Sequence, residues 1–173
     1  MEESRTWQIP PTAAVERTET IMKRTGFFSF MVAAALAATS LLNAQAKPRT
    51  IEIQATDQMK FSVATIDAKP GEQIRVVLKG VGTMPKAAMS HNFVLLAASA
   101  NAMDFANKSV MAAATAYIAP ELKGQVLANT ALVGAGETAE VTFKAPAKPG
   151  TYNYICSFPG HFAAGMKGTL VVK

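Results

Sequence analysis

Residues 152–172 read YNYICSFPGHFAAGMKGTLVV, two β-prone segments joined by a turn-forming loop. Aromatic and β-branched side chains dominate residues 152–158 and 169–172, and such residues favour strands. Pro159 and Gly160 stand between them and mark a turn. The same stretch also contains the only cysteine of the chain, one of its two histidines and a methionine. This stretch therefore predicts two strands that flank a chemically unusual loop.

Similar β-prone segments recur on the N-terminal side of this stretch, separated by turn signals. The signals are KPGE at 69–72, GAGE at 134–137 and APAKPG at 145–150. Many short strands with such punctuation predict an all-β domain, either an antiparallel β-sandwich or a barrel. The other predicted strands are residues 50–54, 60–66, 73–79, 92–96, 125–132 and 140–143.

One segment departs from this pattern. Residues 97–120 read AASANAMDFANKSVMAAATAYIAP and are rich in Ala and Met, which favour helix. We expect one short helix here, packed outside the sandwich and ended by Pro120. Met103 and Met111 are expected to face the core, because methionine readily fills apolar gaps.

The N-terminal region has the pattern of a secretory signal. Residues 22–46, MKRTGFFSFMVAAALAATSLLNAQA, combine a positive start, an apolar stretch and a small-residue cleavage site after Ala46. An uncleaved membrane anchor is the alternative, but the apolar stretch is shorter than the roughly 20 residues that span a bilayer. We expect no stable membrane span after cleavage. Residues 1–21 fit no targeting pattern, so Met22 is the expected start and residues 47–173 the single mature domain.

Charge and cysteine content narrow the classes of function. The chain has 17 Lys and Arg against 12 Asp and Glu, a net charge of +5 that favours acidic docking partners. These charges are scattered and form no basic stripe, so we expect no nucleic-acid partner. In an oxidising compartment a lone cysteine cannot form an internal disulfide. The thiol is therefore buried and inert, paired with another chain, or held by a metal.

The side chains of the loop are typical metal ligands. Cys156 offers a thiolate, His161 an imidazole and Met166 a thioether, and the other histidine, His91, begins the segment HNFVLL. Taken singly, each has an ordinary structural explanation, such as a buried apolar residue or an exposed loop histidine. Together, two His, one Cys and one Met form the ligand set of a type 1 copper site. Zinc is the competing metal, but Met is a poor zinc ligand and no fourth strong ligand is apparent.

Four stretches of the chain resemble a known family. IQATDQMKF (53–61), MPKAAMSHNFVLL (84–96), TALVGAGE (130–137) and CSFPGHFAAGMKGTLVVK (156–173) resemble the azurins, small periplasmic cupredoxins. The resemblance implies a Greek-key sandwich of about eight strands with one copper ion per chain. It also implies that the protein carries single electrons by cycling between Cu(II) and Cu(I).

The resemblance further implies roles for individual residues. Asn92 matches the asparagine whose hydrogen bonds join the two ligand segments. Ser90 takes the position whose carbonyl is a weak axial contact, where azurins have Gly. The three equatorial ligands and the axial ligand match, in that order, His91, Cys156, His161 and Met166.

Three features depart from the azurin pattern. Four residues separate His161 from Met166, whereas azurins have three, and the longer loop resembles that of auracyanins. Azurins have a disulfide far from the copper, which one cysteine cannot form, and such a loss costs about 2–5 kcal/mol of stability. Phe93 stands where azurins have Trp.

The resemblance implies that the edge of His161 reaches the surface inside an apolar docking patch. Expected partners are redox proteins such as c-type cytochromes or copper-containing reductases and oxidases. We expect no enzyme activity, because a second, substrate-binding copper would need further histidines. A copper carrier or storage protein is the remaining alternative, although a closed four-ligand site suits rapid exchange poorly. The expected docking patch consists of Met59, Met84, Met89, Phe158, Pro159 and Phe162.

Overall fold

Alternating burial along the strands builds a sandwich of two sheets. Ile53 and Ala55 are fully buried whereas their neighbours Glu52 and Gln54 are exposed, as expected for a strand with one solvated face. The computed structural model describes residues 47–173. Its strands are β1 (Arg49–Thr56), β2 (Lys60–Phe61), β3 (Thr65–Ala68), β4 (Gln73–Val81), β5 (Val94–Leu96), β6 (Val126–Asn129), β7 (Thr138–Lys144), β8 (Gly150–Ile155) and β9 (Lys167–Val172).

The strands divide into a four-stranded sheet, in the order β2-β1-β4-β7, and a five-stranded sheet, in the order β3-β9-β8-β5-β6. The prediction of an all-β sandwich is confirmed. The expectation of purely antiparallel pairing is wrong for two pairs, because β1 runs parallel to β4 and β3 runs parallel to β9. Between the members of each pair the chain visits the other sheet. Such crossover connections allow neighbouring strands to point the same way.

One predicted strand is two strands in the structure. Residues 60–66 divide into β2, which pairs with β1, and β3, which pairs with β9 in the other sheet. The chain changes sheets over residues 62–64, where the Ser62 N–H still donates to the Gln54 carbonyl at 2.9 Å. The described residues therefore form nine strands where about eight were expected.

Aromatic side chains fill much of the space between the sheets. Phe93 is fully buried, and its ring centroid lies 4.9 Å from that of Tyr154 and 6.3 Å from that of Phe143. Burial of one such ring contributes about 1.5–3 kcal/mol. Because Phe93 is two residues from His91, this packing also fixes the segment that carries His91.

The helical insertion lies between β5 and β6. A helix, α1 (Ala102–Ser109), is followed by two 3₁₀ helices at Ala113–Thr115 and Pro120–Gln125. The Asn101 side chain caps α1 by accepting the Asp104 N–H at 3.0 Å. The short helix is thus confirmed, but Pro120 begins the second 3₁₀ helix instead of ending α1. This agrees with the preference of proline for a first helical position.

The methionines of the insertion do not face the core. Met103 is 50% exposed and Met111 is 91% exposed, so that expectation is wrong. Phe105 and Leu122 fill the buried side of the insertion instead and pack in a second apolar cluster. Between residues 47 and 173, no helix is both long and apolar enough to cross a bilayer. The predicted signal, residues 22–46, and the stretch 1–21 lie outside the described residues.

Candidate metal centre

Cys156 directly follows β8, at the end of a tightly registered pair of strands. Ile155 is opposite Lys167 of β9 and also pairs with Val94 of β5, so the backbone before the cysteine is fixed on both sides. The Cys156 N–H donates to the Met166 carbonyl at 3.1 Å. The side chain is fully buried. The sheet therefore sets the position of the sulfur.

The loop after Cys156 closes on itself through backbone hydrogen bonds. The His161 N–H donates to the Phe158 carbonyl at 3.1 Å, and the Met166 N–H donates to the His161 carbonyl at 2.9 Å. Gly160 and Gly165 have φ values of +82° and +93°, which side-chain-bearing residues rarely adopt. These two turns bring His161 and Met166 back toward Cys156.

His91 comes from a separate part of the chain and is fixed by a two-residue bridge. Its N–H donates to the Val133 carbonyl at 2.9 Å, and the Val133 N–H donates back to the His91 carbonyl at 2.8 Å. The side chain is 1% exposed, and its Nδ1 atom is buried without a hydrogen-bond partner. A buried polar atom of this kind costs about 1–3 kcal/mol unless a ligand satisfies it.

The structure brings His91, Cys156 and His161 together. One donor atom from each residue lies within 4.8 Å of the others, and all three residues are buried. The Cys156 Sγ is 3.4 Å from the His161 Nδ1, and the two imidazole centroids are 5.0 Å apart. Donor atoms that bind one ion at about 2.0–2.3 Å lie no more than roughly 4.6 Å from each other, close to the separations found here. These three residues therefore fit a single metal ion.

Burial shifts the pKa of each of these groups in the direction that favours the neutral form of the group. It raises the pKa of the Cys156 thiol to about 11, although the backbone N–H groups of Asn92 and Phe158 act in the opposite direction. Burial, and then the charge on His91, lower the pKa of His161 to about 4. Burial also lowers the pKa of His91, against a weaker opposing effect of Asp57. Both imidazoles are thus neutral at pH 7 and have a lone pair for a metal.

Met166 and Ser90 come from distant parts of the sequence, but both adjoin Cys156. Met166 is fully buried, and its carbonyl accepts the Cys156 N–H. The Ser90 carbonyl is 3.9 Å from the Cys156 sulfur, and the Ser90 hydroxyl donates to the Lys86 carbonyl. The axial roles of the Met166 thioether and the Ser90 carbonyl remain predictions.

Asn92 joins the two segments that carry the donor atoms. Its Oδ1 accepts the Ser157 N–H at 2.9 Å, and its Nδ2 donates to the Ser157 hydroxyl at 2.9 Å. The same Nδ2 donates to the Ala116 carbonyl at 3.0 Å. Asn92 is fully buried, so these contacts with two other parts of the chain hold its side chain in one orientation.

The members of the expected docking patch differ widely in exposure. Met84 is 44% exposed, and four other members are half-buried: Met59, Met89, Phe158 and Pro159. Phe162 is only 8% exposed and packs in the cluster under the helical insertion. Its ring centroid lies 5.1 Å from the Lys167 Nζ. Phe162 is therefore placed as a packing residue, and Met84 offers the largest exposed fraction among the six.

Sequence reasoning missed Tyr117. Its ring meets that of Phe158 edge-on at 5.0 Å, and Phe158 in turn lies 4.7 Å from the His161 imidazole. The pattern of residues 97–120 predicts a helix, and in a helix Tyr117 would have negative φ. Its actual φ is +58°. This conformation is an outlier for a bulky residue, and no local sequence signal marks it.

The donor chemistry favours copper over zinc. Zinc sites in proteins use four strong ligands, or three with a water. In the described part of the chain, the group that could hold a metal consists of His91, Cys156 and His161, and the buried Met166 adjoins them. Two imidazoles, one thiolate and a thioether suit the trigonal, weakly axial geometry of type 1 copper.

Comparisons with known proteins agree with this assignment. A sequence profile described as copper binding proteins, plastocyanin/azurin family, matches residues 49–173. Auracyanin-B of Chloroflexus aurantiacus is 36% identical over 126 residues, which cover 72% of this chain and 52% of that protein. Azurin of Pseudomonas aeruginosa is 37% identical over 146 residues, which cover 80% of this chain and 97% of that protein.

The fold has close structural relatives as well. The structure of an azurin from Methylomonas sp. strain J matches with a TM-score of 0.64 at 33% identity, covering 73% of this chain and 99% of that one. The chain thus spans about half the length of auracyanin-B but nearly all of these two azurins.

Proposed function

The chain belongs to the plastocyanin/azurin family of copper-binding proteins, and from that premise we propose that it carries single electrons between redox proteins. The resemblance to azurins and auracyanins is confirmed. In this proposal the Cys156 thiolate and the imidazoles of His91 and His161 hold one copper ion, with the Met166 thioether as a weak axial ligand. Bound copper supplies the one-electron couple Cu(II)/Cu(I).

One observation carries the proposal. Three donor atoms lie within 4.8 Å of one another, on residues that are at most 2% exposed. One of these residues, His91, leaves its Nδ1 without a hydrogen-bond partner. A folded protein tolerates a buried group without a partner when a ligand completes it. The site is thus preformed for a soft cation and closed to bulk water.

The chain supports this site with rigid elements, which suits electron transfer. The sulfur follows β8, His91 is bridged to Val133, and Asn92 joins both segments. Ligands fixed by packing and hydrogen bonds move little when the charge of a bound ion changes. A small rearrangement favours rapid exchange of an electron. A site meant to release its metal would instead need flexible ligands.

The edge of His161 was expected to reach the surface, but the residue is only 2% exposed. Electrons would therefore enter and leave through the side chains that cover it, where the expected docking patch provides apolar contact. Met84 is exposed on the loop that precedes His91 and supplies part of this surface. We propose redox proteins as partners, such as c-type cytochromes or copper-containing reductases and oxidases. The family is one of electron carriers, and both histidines of this chain are used in the one site. We therefore propose no catalytic role.

Spectroscopy of the copper-loaded protein tests the proposal. The purified protein is mixed with one equivalent of Cu(II), and its visible absorption, EPR spectrum and cyclic voltammogram are recorded. We expect an intense blue thiolate-to-copper band, a narrow copper hyperfine splitting and reversible one-electron reduction. The variant Cys156→Ser should lose the band. A colourless Cu(II) complex, or one that cannot be reversibly reduced, would refute the proposal.

A copper carrier or storage protein is the second candidate, and exchange kinetics distinguish it. Transfer of copper to a strong chelator is followed over time in both oxidation states. An electron carrier should retain copper for hours while it exchanges electrons in milliseconds to seconds. A storage protein would release copper quickly and show no rapid electron exchange.

We also propose that the protein works in the periplasm. Residues 22–46 have the charge, apolar stretch and cleavage site of an export signal. On this proposal residues 1–21 are not part of the working protein, and residues 47–173 form its single domain. Cell fractionation followed by N-terminal sequencing tests both points. A cytoplasmic protein with residues 22–46 intact would contradict them.

A further inference from the structure

The segment before the second 3₁₀ helix contains two consecutive residues in the left-handed region. Ala116 has a φ of +54° and Tyr117 a φ of +58°. This conformation is unfavourable for residues with side chains and is an outlier for a bulky one. Such strain persists only where surrounding contacts impose it, and it tends to occur next to functional sites. The turn therefore calls for a structural reason.

One of the contacts that hold this turn comes from the candidate metal centre. The Ala116 carbonyl accepts a hydrogen bond from the Asn92 Nδ2 at 3.0 Å. Asn92 is fully buried and also binds Ser157, the residue after Cys156. The Tyr117 N–H donates to the Ala112 carbonyl at 2.9 Å, which closes the turn from the other side. The insertion is thus tied to the ligand loop at this point.

The turn directs the Tyr117 ring onto a chain of aromatic contacts that ends at His161. Tyr117 meets Phe158 edge-on, with ring centroids 5.0 Å apart and planes at 71°. Phe158 lies 4.7 Å from the His161 imidazole, with planes at 45°. Edge-to-face contacts of this kind are directional. Tyr117 and Phe158 are both half-buried, and their edge-on contact covers part of the phenylalanine ring.

We propose that Tyr117 is a positioning residue for the metal ligand His161 and acts through Phe158. The tyrosine ring limits the movement of Phe158, and Phe158 limits the rotation of the imidazole about its side-chain bonds. The Nδ1 atom of His161 then stays 3.4 Å from the Cys156 sulfur, ready for a metal. This inference uses the proposed function only in taking His161 as a ligand.

Three variants test the inference in the metal-free protein first. Tyr117→Phe keeps the ring, Tyr117→Leu keeps apolar bulk without a ring, and Tyr117→Ala removes both. Met111→Ala, in the same insertion and 91% exposed, is the control. The His161 ring signals are observed by NMR. We expect Tyr117→Phe and Met111→Ala to match the wild type, whereas Tyr117→Leu and Tyr117→Ala shift and broaden these signals.

Copper binding provides the second measurement. Loss of a residue that orients a ligand typically weakens metal binding by about 10–100-fold. We expect about tenfold weaker copper affinity in Tyr117→Leu and Tyr117→Ala, with wild-type affinity restored in Tyr117→Phe. The reduction potential should change in the same two variants. If circular dichroism shows that Tyr117→Ala is unfolded, the comparison of Tyr117→Leu with Tyr117→Phe tests the inference.

Two results would overturn the inference. In the first, Tyr117→Leu leaves the His161 signals and the copper affinity unchanged. In the second, Tyr117→Phe is as impaired as Tyr117→Leu, which would assign the effect to the hydroxyl group. Failure of the electron-carrier proposal would appear differently, as a wild-type protein without reversible one-electron redox chemistry. The NMR result on metal-free protein does not depend on that chemistry.

Discussion

At the scale of single residues, Cys156 shows how the fold prepares a thiol for a cation. Burial raises the pKa of the thiol to about 11, which disfavours the thiolate. The backbone N–H groups of Asn92 and Phe158 act in the opposite direction and favour the anion, but they do not offset burial. A bound cation would complete this stabilisation. The sulfur is therefore protonated in the metal-free protein and ionised when a metal binds.

This assignment of protons predicts how copper affinity depends on pH. Between pH 7 and 9 the thiol, with a pKa of about 11, has a proton to lose, whereas His161, with a pKa of about 4, has none. The pKa of His91 is also lowered, so this imidazole is neutral as well. One proton is released for each copper bound, and the affinity should rise about tenfold per pH unit.

Competition with a chelator of known affinity at pH 7, 8 and 9 measures this slope. Cys156→Ser should flatten the dependence, because a serine hydroxyl does not ionise in this range. A slope near a hundredfold per pH unit in the wild type would mean that a histidine is protonated at neutral pH, which the lowered pKa values of both imidazoles contradict.

Met166 allows a prediction about the axial ligand. Replacement of this fully buried residue by leucine removes the sulfur but nearly conserves volume, so the free energy of unfolding should fall by less than about 1.5 kcal/mol. The blue band should remain, because the thiolate and imidazoles are intact. The reduction potential should rise, because the three-ligand trigonal site that remains, with an apolar side chain at the axial position, suits Cu(I) better than Cu(II). Voltammetry of Met166→Leu, with Met111→Leu as control, checks this; an unchanged potential would exclude the thioether as a ligand.

At the scale of secondary-structure elements, the sequence predicted the strands and turns that depend on local residue pattern. The β-branched or alternating character of short segments located β1, β4 and β9, and the Pro-Gly turn located the loop after Cys156. The change of sheets at residues 62–64 was not predicted, because only long-range pairing decides it. The left-handed turn at Ala116 and Tyr117 was missed for the same reason: a tertiary hydrogen bond from Asn92 helps to impose it.

Close packing between elements predicts which glycines tolerate a side chain. At Gly168 of β9 an added Cβ would lie 2.2 Å from the Tyr154 ring and 2.7 Å from the Ala64 carbonyl oxygen. Neither neighbour can move freely, because one is in the core and the other is backbone. Overpacking of this kind typically costs about 1–3 kcal/mol. Gly168→Ala should therefore lower the free energy of unfolding by that amount.

Gly124 is the matched control for this prediction. It lies in the second 3₁₀ helix, has an ordinary negative φ, and an added Cβ would meet nothing within 4 Å. Gly124→Ala should be neutral, or stabilising by about 0.4–1 kcal/mol through the unfolded chain. Urea denaturation of both variants in the metal-free state makes the comparison. Equal effects of the two substitutions would contradict the packing at Gly168.

At the scale of the complete domain, the ligand types and their spacing in the sequence are sufficient to predict the chemistry of the site. The surface around the site is harder to predict, because exposure depends on how separate elements meet. Phe162 illustrates this: it follows the ligand His161 directly, yet the helical insertion covers it. Met84, seven residues before His91, is instead the most exposed member of the expected docking patch. The docking role of that patch remains a prediction.

Charge placed at Met84 tests this role most directly. Met84→Lys puts a cation on an apolar surface that a partner must desolvate. Electron exchange with a redox partner, or between two copies of the protein, should therefore slow by about tenfold or more at low ionic strength. The blue band should be unchanged, since Met84 is exposed. Met111→Lys adds the same charge at a 91% exposed position of the insertion and controls for net charge. Stopped-flow rates that fall equally in both variants would show that overall charge, and not contact at Met84, governs the encounter.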